Sequence, residues 1–266
     1  MNYIVCIKQV PDTAKVKLDP KTHRLQRAGV ENIINPFDEH ALEAALALRD
    51  AHGGTVIVLT MGPPQAEAVL RESIARGADR AVLVTDRAFG GADTLATSYT
   101  LAGAIRRLGG ADVILCGKQA IDGDTAQVGP QIAEMLDMPQ VTAVNRLALA
   151  DGELTVTREH EDGYETLRVP TPALLTVTKN LNTPRYPSLM GKMKARKATI
   201  ETLTAADLEL DPERIGIKGS PTRVRRVYTP EVRTQGMIWN DLTPEAAARQ
   251  LSDLLGLGAR KDGDRQ

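Results

Sequence analysis

Short apolar runs alternate with amphipathic stretches along the first half of the chain, and this pattern predicts strands and helices in turn. Thr55–Met61 (TVIVLTM) is a nearly continuous apolar run, which is typical of a strand covered on both faces. Similar runs predict three more strands, at Tyr3–Val10, Ala81–Thr85 and Asp112–Cys116.

Amphipathic stretches follow these strands and predict helices. Asn35 and Pro36 begin the first, in which Leu42, Ala45 and Leu46 share one face. The others are predicted between Pro64 and Gly77, at Asp93–Leu108 and at Ala126–Leu136. Repeated units of this kind predict an α/β fold, with an open, mostly parallel sheet and helices on both faces.

The character of the chain changes after residue 137. Further strands are predicted at Val141–Ala150, Leu154–Arg158 and Ala173–Lys179. Periodicity is weak beyond about residue 205, until Pro244–Leu255 predicts an amphipathic helix. We therefore expect an α/β domain over residues 1–200 and a C-terminal arm over residues 201–266 that packs on a partner.

Composition narrows the class of protein. Among 266 residues, 33 Lys and Arg stand against 34 Asp and Glu, and the net charge of -1 argues against a nucleic-acid-binding protein. No apolar stretch approaches the roughly 20 residues of a membrane span. Lys8 interrupts the segment where a signal peptide needs its apolar core. Cys6 and Cys116 lie in apolar runs, which favours a reducing compartment, so we expect a cytoplasmic protein.

The segment Asp112–Gly129 (DVILCGKQAIDGDTAQVG) predicts a phosphate-binding loop between a strand and a helix that begins near Thr125. Ligands of open α/β sheets bind beyond the carboxyl ends of strands, and a helix N-terminus presents free N–H groups to an anion. Gly117, Gly123 and Gly129 allow a close approach of the backbone to a ligand. The competing interpretation is that the acidic residues of the loop only make a turn and cap the helix.

Two common nucleotide motifs are missing from the sequence. The loop does not end in Gly-Lys-Ser/Thr, and no G-x-G-x-x-G follows the first strand. Both a nucleotide triphosphatase and an ordinary dehydrogenase are therefore disfavoured.

Seven stretches of the chain occur in the order seen in one known family. They are VCIKQVPDT (5–13), NPFDEHALEAAL (35–46), TMGPPQAEAVLRESIARGADRAVLV (60–84), GGADTLATSYTLA (90–102), LCGKQAIDGDTAQVGP (115–130), NTPRYPSLMGKMKARKA (182–198) and GSPTRV (219–224). Together they resemble the β subunit of an electron-transfer flavoprotein. The resemblance implies a Rossmann-like, adenine-nucleotide-binding fold and a heterodimer with an α subunit.

The resemblance also implies a cofactor. In ordinary members of the family the β-subunit pocket holds AMP as a structural ligand. The chain resembles the electron-bifurcating branch through its 10–13 and 92–97 runs, and there the pocket holds FAD that accepts a hydride from NADH. One electron passes to the α-subunit flavin and on to an acyl-CoA dehydrogenase or a quinone-linked oxidoreductase. The other passes to ferredoxin or flavodoxin.

The loop and the resemblance together give a set of expected cofactor-binding residues. They are Cys6, Asn35, Asp38, Met61, Gly117, Lys118, Gln119, Ala120, Asp122, Gly123, Asp124, Thr125, Gln127, Val128 and Gly129. The resemblance also implies Thr94 and Thr97 near the isoalloxazine ring, and their spacing of three allows both to face the same side of a helix. Their alternative role is a helix cap followed by a solvated hydroxyl. No catalytic side chain or metal ligand set is expected, because a flavin supplies redox chemistry itself.

Residues 166–200 contain no Asp or Glu but seven basic residues. The resemblance implies a recognition loop near residues 182–198, anchored on an acyl-CoA dehydrogenase through Leu189 and Met190. Its basic neighbours would steer an acidic partner surface, and the alternative is a solvated basic face. The single aromatic residue, Tyr186, offers no stacking platform for nucleic acid.

Two other functions stay open from the sequence. The chain could be an ordinary β subunit that holds AMP and performs no redox step. It could also be a stand-alone adenine-nucleotide-binding module with a sensing role. Met237, Ile238 and Trp239 would form a costly exposed patch, which favours a permanent partner.

Overall fold

The computed structural model describes residues 1–12, 31–225 and 236–256, together with two short strands at residues 17–18 and 25–26. It divides the chain into two compact units, Met1–Arg226 and Val227–Gln266. Within these described ranges, no helix combines the length and apolar character that crossing a membrane requires. Thr13, the last residue of the 10–13 run, lies outside the described residues.

A nine-stranded sheet forms the frame of the first unit. The strands in chain order are β1 (Asn2–Cys6), β2 (Gln9–Pro11), β3 (Lys17–Leu18), β4 (Leu25–Gln26), β5 (Asn32–Ile34), β6 (Thr55–Met61), β7 (Arg80–Val84), β8 (Val113–Gly117), β9 (Gln140–Ala150), β10 (Glu153–His160), β11 (Gly163–Pro170), β12 (Ala173–Val177) and β13 (Glu201–Leu203). Two small antiparallel pairs, β2 with β5 and β3 with β4, lie outside that sheet.

The strand order of the large sheet is β11-β10-β9-β12-β8-β1-β6-β7-β13. Parallel pairing joins the seven strands β9, β12, β8, β1, β6, β7 and β13. Strands β10 and β11 extend the sheet beyond β9 by antiparallel pairing. Cys6 at the end of β1 lies opposite Leu59 on one side and Cys116 on the other. The carboxyl ends of the central strands therefore meet at one edge of the sheet.

Helices cover both faces of the sheet, as the sequence predicts. They are α1 (Pro36–His52), α2 (Glu67–Arg76), α3 (Thr94–Arg107), α4 (Val128–Leu136), α5 (Leu189–Lys197) and α6 (Ala205–Leu208), with α7 (Pro244–Leu254) in the second unit. The core beside α1, α2 and α5 contains Tyr3 and Val5, and the core beside α3, α4 and α6 contains Ile4 and Cys6. Alternate residues of β1 thus enter opposite layers, which requires a strand that is apolar at nearly every position.

Some element bounds differ from the sequence prediction for local reasons. The first apolar run does not form one strand over Tyr3–Val10, because the chain leaves the sheet after Cys6 and the Lys8 carbonyl accepts the Asn35 N–H instead. Helix α4 begins at Val128 rather than near Thr125, because Asp124 and Ala126 have φ values of 50° and 54°, which no α-helix allows.

Several elements were not predicted, among them β5, α6, β11, α5 and β13. Strand β11 lacks an apolar run, since most of its side chains are exposed at the edge of the sheet. Helix α5 lies within the basic segment that was interpreted as a loop. Strand β13 pairs with β7 after residue 200, so the α/β unit takes in residues that the sequence division gave to the arm.

The second unit contains the amphipathic helix that the sequence predicts at Pro244–Leu255, observed as α7 with Thr243 as its N-cap. Of the apolar trio near its start, Met237 and Ile238 are exposed and Trp239 is half-buried. That a partner protein covers this unit stays a prediction from the sequence.

Candidate functional site

The candidate site lies where the path of the chain through the sheet changes direction. From β1 the chain passes to β6 and β7 on one side, and it then crosses to β8 on the other side of β1. Such a switch point leaves a crevice at the carboxyl ends of the two strands, and ligands of open α/β sheets bind there. The residues that follow β1 and β8 therefore form the site.

Asn35 holds the loop of residues 117–129 in place. Its side chain is 0% exposed; Nδ2 donates to the Gln119 carbonyl at 2.8 Å and Oδ1 accepts the Ile121 N–H at 3.1 Å. Both ends of a buried amide are satisfied, which fixes its orientation and the path of the loop. Pro36 follows as the first residue of α1, so the helix begins directly beside the loop.

Asp38 joins the ends of β1 and β8. Its Oδ2 accepts the Lys8 N–H at 2.7 Å and its Oδ1 accepts the Gly117 N–H at 3.0 Å. Burial raises the pKa of Asp38 to about 7, against the opposing effect of the Asn35 amide, these two N–H groups and the Lys8 charge. The carboxyl group therefore changes its charge near neutral pH.

Gly117 is required by this arrangement. A Cβ at position 117 would overlap Asp38 Oδ1 and would lie 2.6 Å from Phe37 Cβ. Gly129 is similarly crowded, because a Cβ there would lie 2.5 Å from the methyl group of Thr176. In contrast, a Cβ at Gly123 would meet no atom within 4 Å. The middle of the loop is thus open, while both its ends are tightly packed.

One ion pair and one hydrogen bond connect side chains in the middle of the loop. Lys8 Nζ lies 2.8 and 2.7 Å from the two carboxylate oxygens of Asp122, and Gln119 Nε2 donates to Asp124 Oδ1 at 2.8 Å. The N-cap of α4 is Gln127, and no side chain caps it. The interpretation of Asp122 and Asp124 as helix caps is therefore wrong.

The loop ends in a row of unused backbone donors. Among the described residues, the N–H groups of Thr125, Ala126, Gln127 and Val128 reach no acceptor in the protein. They stand at the N-terminus of α4, where the helix dipole adds partial positive charge. This donor set suits a phosphate group, and the preceding residues Lys118 to Ala120 are half-buried along the crevice.

Helix α3 reaches the loop from the other side. Thr94 Oγ1 donates to Gln127 Oε1 at 2.9 Å, which joins the start of α3 to the loop. Asp93, not Thr94, is the N-cap of α3. Within the described part of the chain, the Thr97 side chain makes no hydrogen bond to the loop, whereas Ser98 donates to the Val128 carbonyl at 3.2 Å.

Three of the expected site residues, Cys6, Cys116 and Met61, belong to the core layer beside α3, α4 and α6. Cys6 and Cys116 are buried free thiols on neighbouring strands, and Met61 ends β6 beside them. The hydrogen bond with the Cys6 thiol and burial raise the pKa of Cys116 well above its ordinary value. The Cys116 thiol is therefore neutral at physiological pH, and both buried cysteines pack as small apolar groups.

The expected partner-binding residues lie on α5, away from the crevice. Leu189 is 76% exposed and Met190 is 74% exposed. Ser188 Oγ caps the helix by accepting the Gly191 N–H at 2.9 Å. A Cβ at Gly191 would overlap the Ala75 carbonyl, so α5 is packed closely on α2 and presents its first apolar residues outward.

Sequence reasoning missed three residues near the site. Lys8 binds Asp122, Ser98 joins α3 to α4, and Thr222 binds the cap of α3. For Lys8 a signal was present, because a cation directly after a buried strand stands at the ligand-binding edge. For Ser98 and Thr222, no local sequence pattern predicts their contacts with α4 and with the cap of α3.

The fold and the site define an open α/β protein with a loop of free backbone donors at its switch point. The electron transfer flavoprotein domain matches residues 22–208, more than half of the chain. The chain is 52% identical over 254 residues to electron transfer flavoprotein subunit beta of Clostridium acetobutylicum, covering 96% of this chain and 98% of that protein. It therefore belongs to the electron transfer flavoprotein family, among the β subunits.

Two differently named relatives are also similar over nearly their full length. The subunit CarD of the caffeyl-CoA reductase-Etf complex of Acetobacterium woodii is 51% identical over 256 residues, covering 96% of this chain and 98% of that protein. Protein FixA of Azorhizobium caulinodans is 47% identical over 259 residues, covering 94% and 92%.

Proposed function

We propose that this chain binds FAD in the crevice between β1 and β8 and acts as the NADH-oxidising subunit of an electron-bifurcating flavoprotein. The observation that carries the proposal is the row of free N–H groups from Thr125 to Val128 at the start of α4. A dinucleotide phosphate needs such donors, and the chain builds them by placing Asp124 and Ala126 in left-handed conformations.

The protein's own groups bind and orient the cofactor. The backbone donors and the nearby ammonium of Lys8 hold the phosphates, while Asn35 and Asp38 fix the loop that carries those donors. Cys6 and Met61 are apolar residues at the ends of β1 and β6. Aromatic residues make up 3% of the chain, so backbone and aliphatic groups must provide most of the contact with a flat ring.

When bound, FAD would supply the redox chemistry, accepting a hydride from NADH and releasing its two electrons singly to the α-subunit flavin and to ferredoxin or flavodoxin. The Thr94 side chain joins α3 to the loop through its hydrogen bond to Gln127. Its hydroxyl can therefore help to orient the ring or the donor. Similarity to a subunit of a caffeyl-CoA reductase-Etf complex supports this branch of the family.

The proposed partners follow from family membership and from the exposed apolar residues of the surface. The family implies an α subunit, and we propose that the second unit, Val227–Gln266, packs on it as an arm. We further propose that Leu189 and Met190 anchor an acyl-CoA dehydrogenase or a quinone-linked oxidoreductase. The free thiols agree with a cytoplasmic location.

A second candidate function is that of an ordinary β subunit with structural AMP. The same observation allows it, since four backbone donors suffice for the single phosphate of AMP. The two candidates differ in whether this chain performs redox chemistry.

Anaerobic titration of the purified αβ complex with NADH tests the proposal. We expect rapid bleaching of flavin absorbance in the wild type. Gly123→Val adds a side chain in the open middle of the loop and should reduce the bleaching, with Gly123→Ala in between. Flavin that NADH does not bleach would contradict the proposal and favour the AMP alternative.

A further inference from the structure

Residues 216–222, which contain most of the GSPTRV motif, are docked on the turn that precedes α3. A Cβ at Gly216 would overlap the Ala88 carbonyl, and Gly91 would bring a Cβ to 3.4 Å from the Ile217 side chain. The two glycines, with φ values of 54° and 73°, allow the two segments to approach closely. The segment is thus attached to the α/β unit shortly before Arg226, where the first unit ends.

Asp93 is the residue that joins the two segments. Its Oδ1 caps α3 by accepting the N–H groups of Leu95 at 3.0 Å and Ala96 at 3.1 Å. Its Oδ2 accepts the N–H of Thr222 at 3.0 Å and the Thr222 hydroxyl at 2.9 Å. The Asp93 N–H donates to Ser220 Oγ at 2.8 Å. One carboxylate therefore divides its two oxygens between a helix cap and a distant segment.

The first turn of α3 continues this connection to the 117–129 loop. Thr94, the next residue, donates to Gln127 Oε1, the side chain of the N-cap residue of α4. One turn later, Ser98 Oγ lies 3.2 Å from the Val128 carbonyl and 3.0 Å from Gln131 Oε1. The start of α4 is thus held by the start of α3, which Asp93 in turn holds to Thr222.

We propose that Asp93 is a positioning residue that couples the attachment of residues 216–222 to the order of the 117–129 loop. Where the ligand of that loop is concerned, the inference rests on the proposed function. Loosening the Thr222 end lets the first turn of α3 move, and the loop then loses the fixed start of α4 on which its donors depend. Because the chain enters its second unit five residues after Thr222, contacts made by that unit can influence nucleotide affinity through Asp93.

Asp93→Asn separates the two functions of the carboxylate. Asn retains an oxygen that can cap α3, and Asn is a good N-cap residue. Its NH₂ group replaces Oδ2 and faces the Thr222 N–H, so that hydrogen bond is lost and the connection is weakened. Thr222→Val removes only the hydroxyl contact with Asp93, whereas Thr222→Ser keeps a hydroxyl at this position and retains the contact. Asp86→Asn is the matched control, because Asp86 also divides its oxygens between a turn, at Ala88, and a distant N–H, at Ala205, without a link to the loop.

Amide exchange at Gln131 measures the coupling in the full chain within its αβ complex. The Gln131 N–H donates to the Gln127 carbonyl at 3.0 Å and so reports the first turn of α4. We expect exchange at Gln131 to accelerate about threefold to tenfold in Asp93→Asn, with a smaller rise in Thr222→Val. Thr222→Ser and Asp86→Asn should match the wild type.

Titration of the stripped complex with FAD gives the second readout. The dissociation constant should rise about threefold to tenfold in Asp93→Asn and stay unchanged in Asp86→Asn. Unchanged exchange at Gln131, or an equal change in Asp86→Asn, would overturn the coupling. A wild type that takes up neither FAD nor AMP would instead refute the proposed function, and exchange at Gln131 would still decide the coupling.

Discussion

The Asp38 carboxylate and the Gly117 N–H are joined by a 3.0 Å hydrogen bond at the switch point of the sheet. The other oxygen of Asp38 accepts the Lys8 N–H, so one buried side chain fixes the ends of β1 and β8 relative to each other. The crevice between those strands is therefore set by an ionisable group. Its geometry should depend on pH in a range that can be measured.

The first prediction concerns this pH dependence. Burial raises the pKa of Asp38 from an ordinary value of 3.8 to about 7. Between these values the folded protein keeps a proton that the unfolded chain releases, so the contribution of Asp38 to stability is present at low pH and is lost as pH rises to about 7. Relative to Asp38→Asn, the wild type should lose about 2.5 kcal/mol of unfolding free energy between about pH 5 and about pH 8.

Urea unfolding of the nucleotide-free protein over this pH range provides the measurement. Asp38→Asn is destabilised at every pH, because its NH₂ group meets one of the two backbone N–H donors. The informative quantity is therefore how the difference in unfolding free energy between the wild type and Asp38→Asn changes with pH. Two stability curves that run parallel across the range would show that Asp38 does not titrate there.

The second prediction compares the stability effects of adding a methyl group at two glycines of the same loop. Gly117→Ala should lower the free energy of unfolding by about 1–3 kcal/mol, because its Cβ overlaps Asp38 and Phe37. Gly123→Ala should change it by less than about 0.5 kcal/mol, because nothing lies within 4 Å. Thermal unfolding checks both values, and equal destabilisation by the two changes would contradict the packing described for Gly117.

The third prediction concerns the Lys8–Asp122 ion pair. The carboxylate of Asp122 binds the ammonium that a ligand phosphate would otherwise attract. Asp122→Asn should therefore strengthen AMP binding about twofold to fivefold at low salt, and Lys8→Met should weaken it. Calorimetric titration measures both constants, and high salt should reduce the difference.

Lys218→Met provides the control for that experiment. Lys218 forms a similar exposed pair with Glu213, at 3.0 Å, outside the crevice. Its removal should leave AMP binding unchanged. Weaker binding in Asp122→Asn would mean that Asp122 supports the ligand instead of competing with it.

The fourth prediction concerns α5. Leu189→Ala should slow electron transfer to an acyl-CoA dehydrogenase about tenfold, because an anchoring side chain is lost. The free energy of unfolding should change by less than about 0.5 kcal/mol, since Leu189 is exposed. Tyr164→Ala, at an equally exposed apolar residue of β11, is the control. Stopped-flow reduction kinetics should show normal transfer in this control, and a similar loss in both variants would refute a specific anchor at Leu189.

The parts of the fold that face the core could be predicted from the sequence. The apolar run of β6 and the apolar faces of α2 and α3 repeat with the period that burial imposes, so their predicted ends agree with the structure closely. Strand β11 could not be predicted in this way. Most of its residues are exposed at the sheet edge and only Val169 is buried, so no apolar run results.

The site was predictable only in part. The loop and its glycines have a local signal, and Asn35 and Asp38 were expected through the family resemblance. Their actual contacts depend on tertiary structure, since Asn35 and Gln119 are separated by 84 positions, and Lys8 and Asp122 by 114. The start of α4 was misplaced because the left-handed conformations of Asp124 and Ala126 are not evident from their residue types.

The central claim is that the crevice between β1 and β8 binds FAD. The most direct measurement is chromatographic quantification of the nucleotides released from the purified αβ complex by denaturation. Our account predicts two FAD per complex for the wild type and selective loss of one in Gly123→Val. One FAD and one AMP per complex would contradict it.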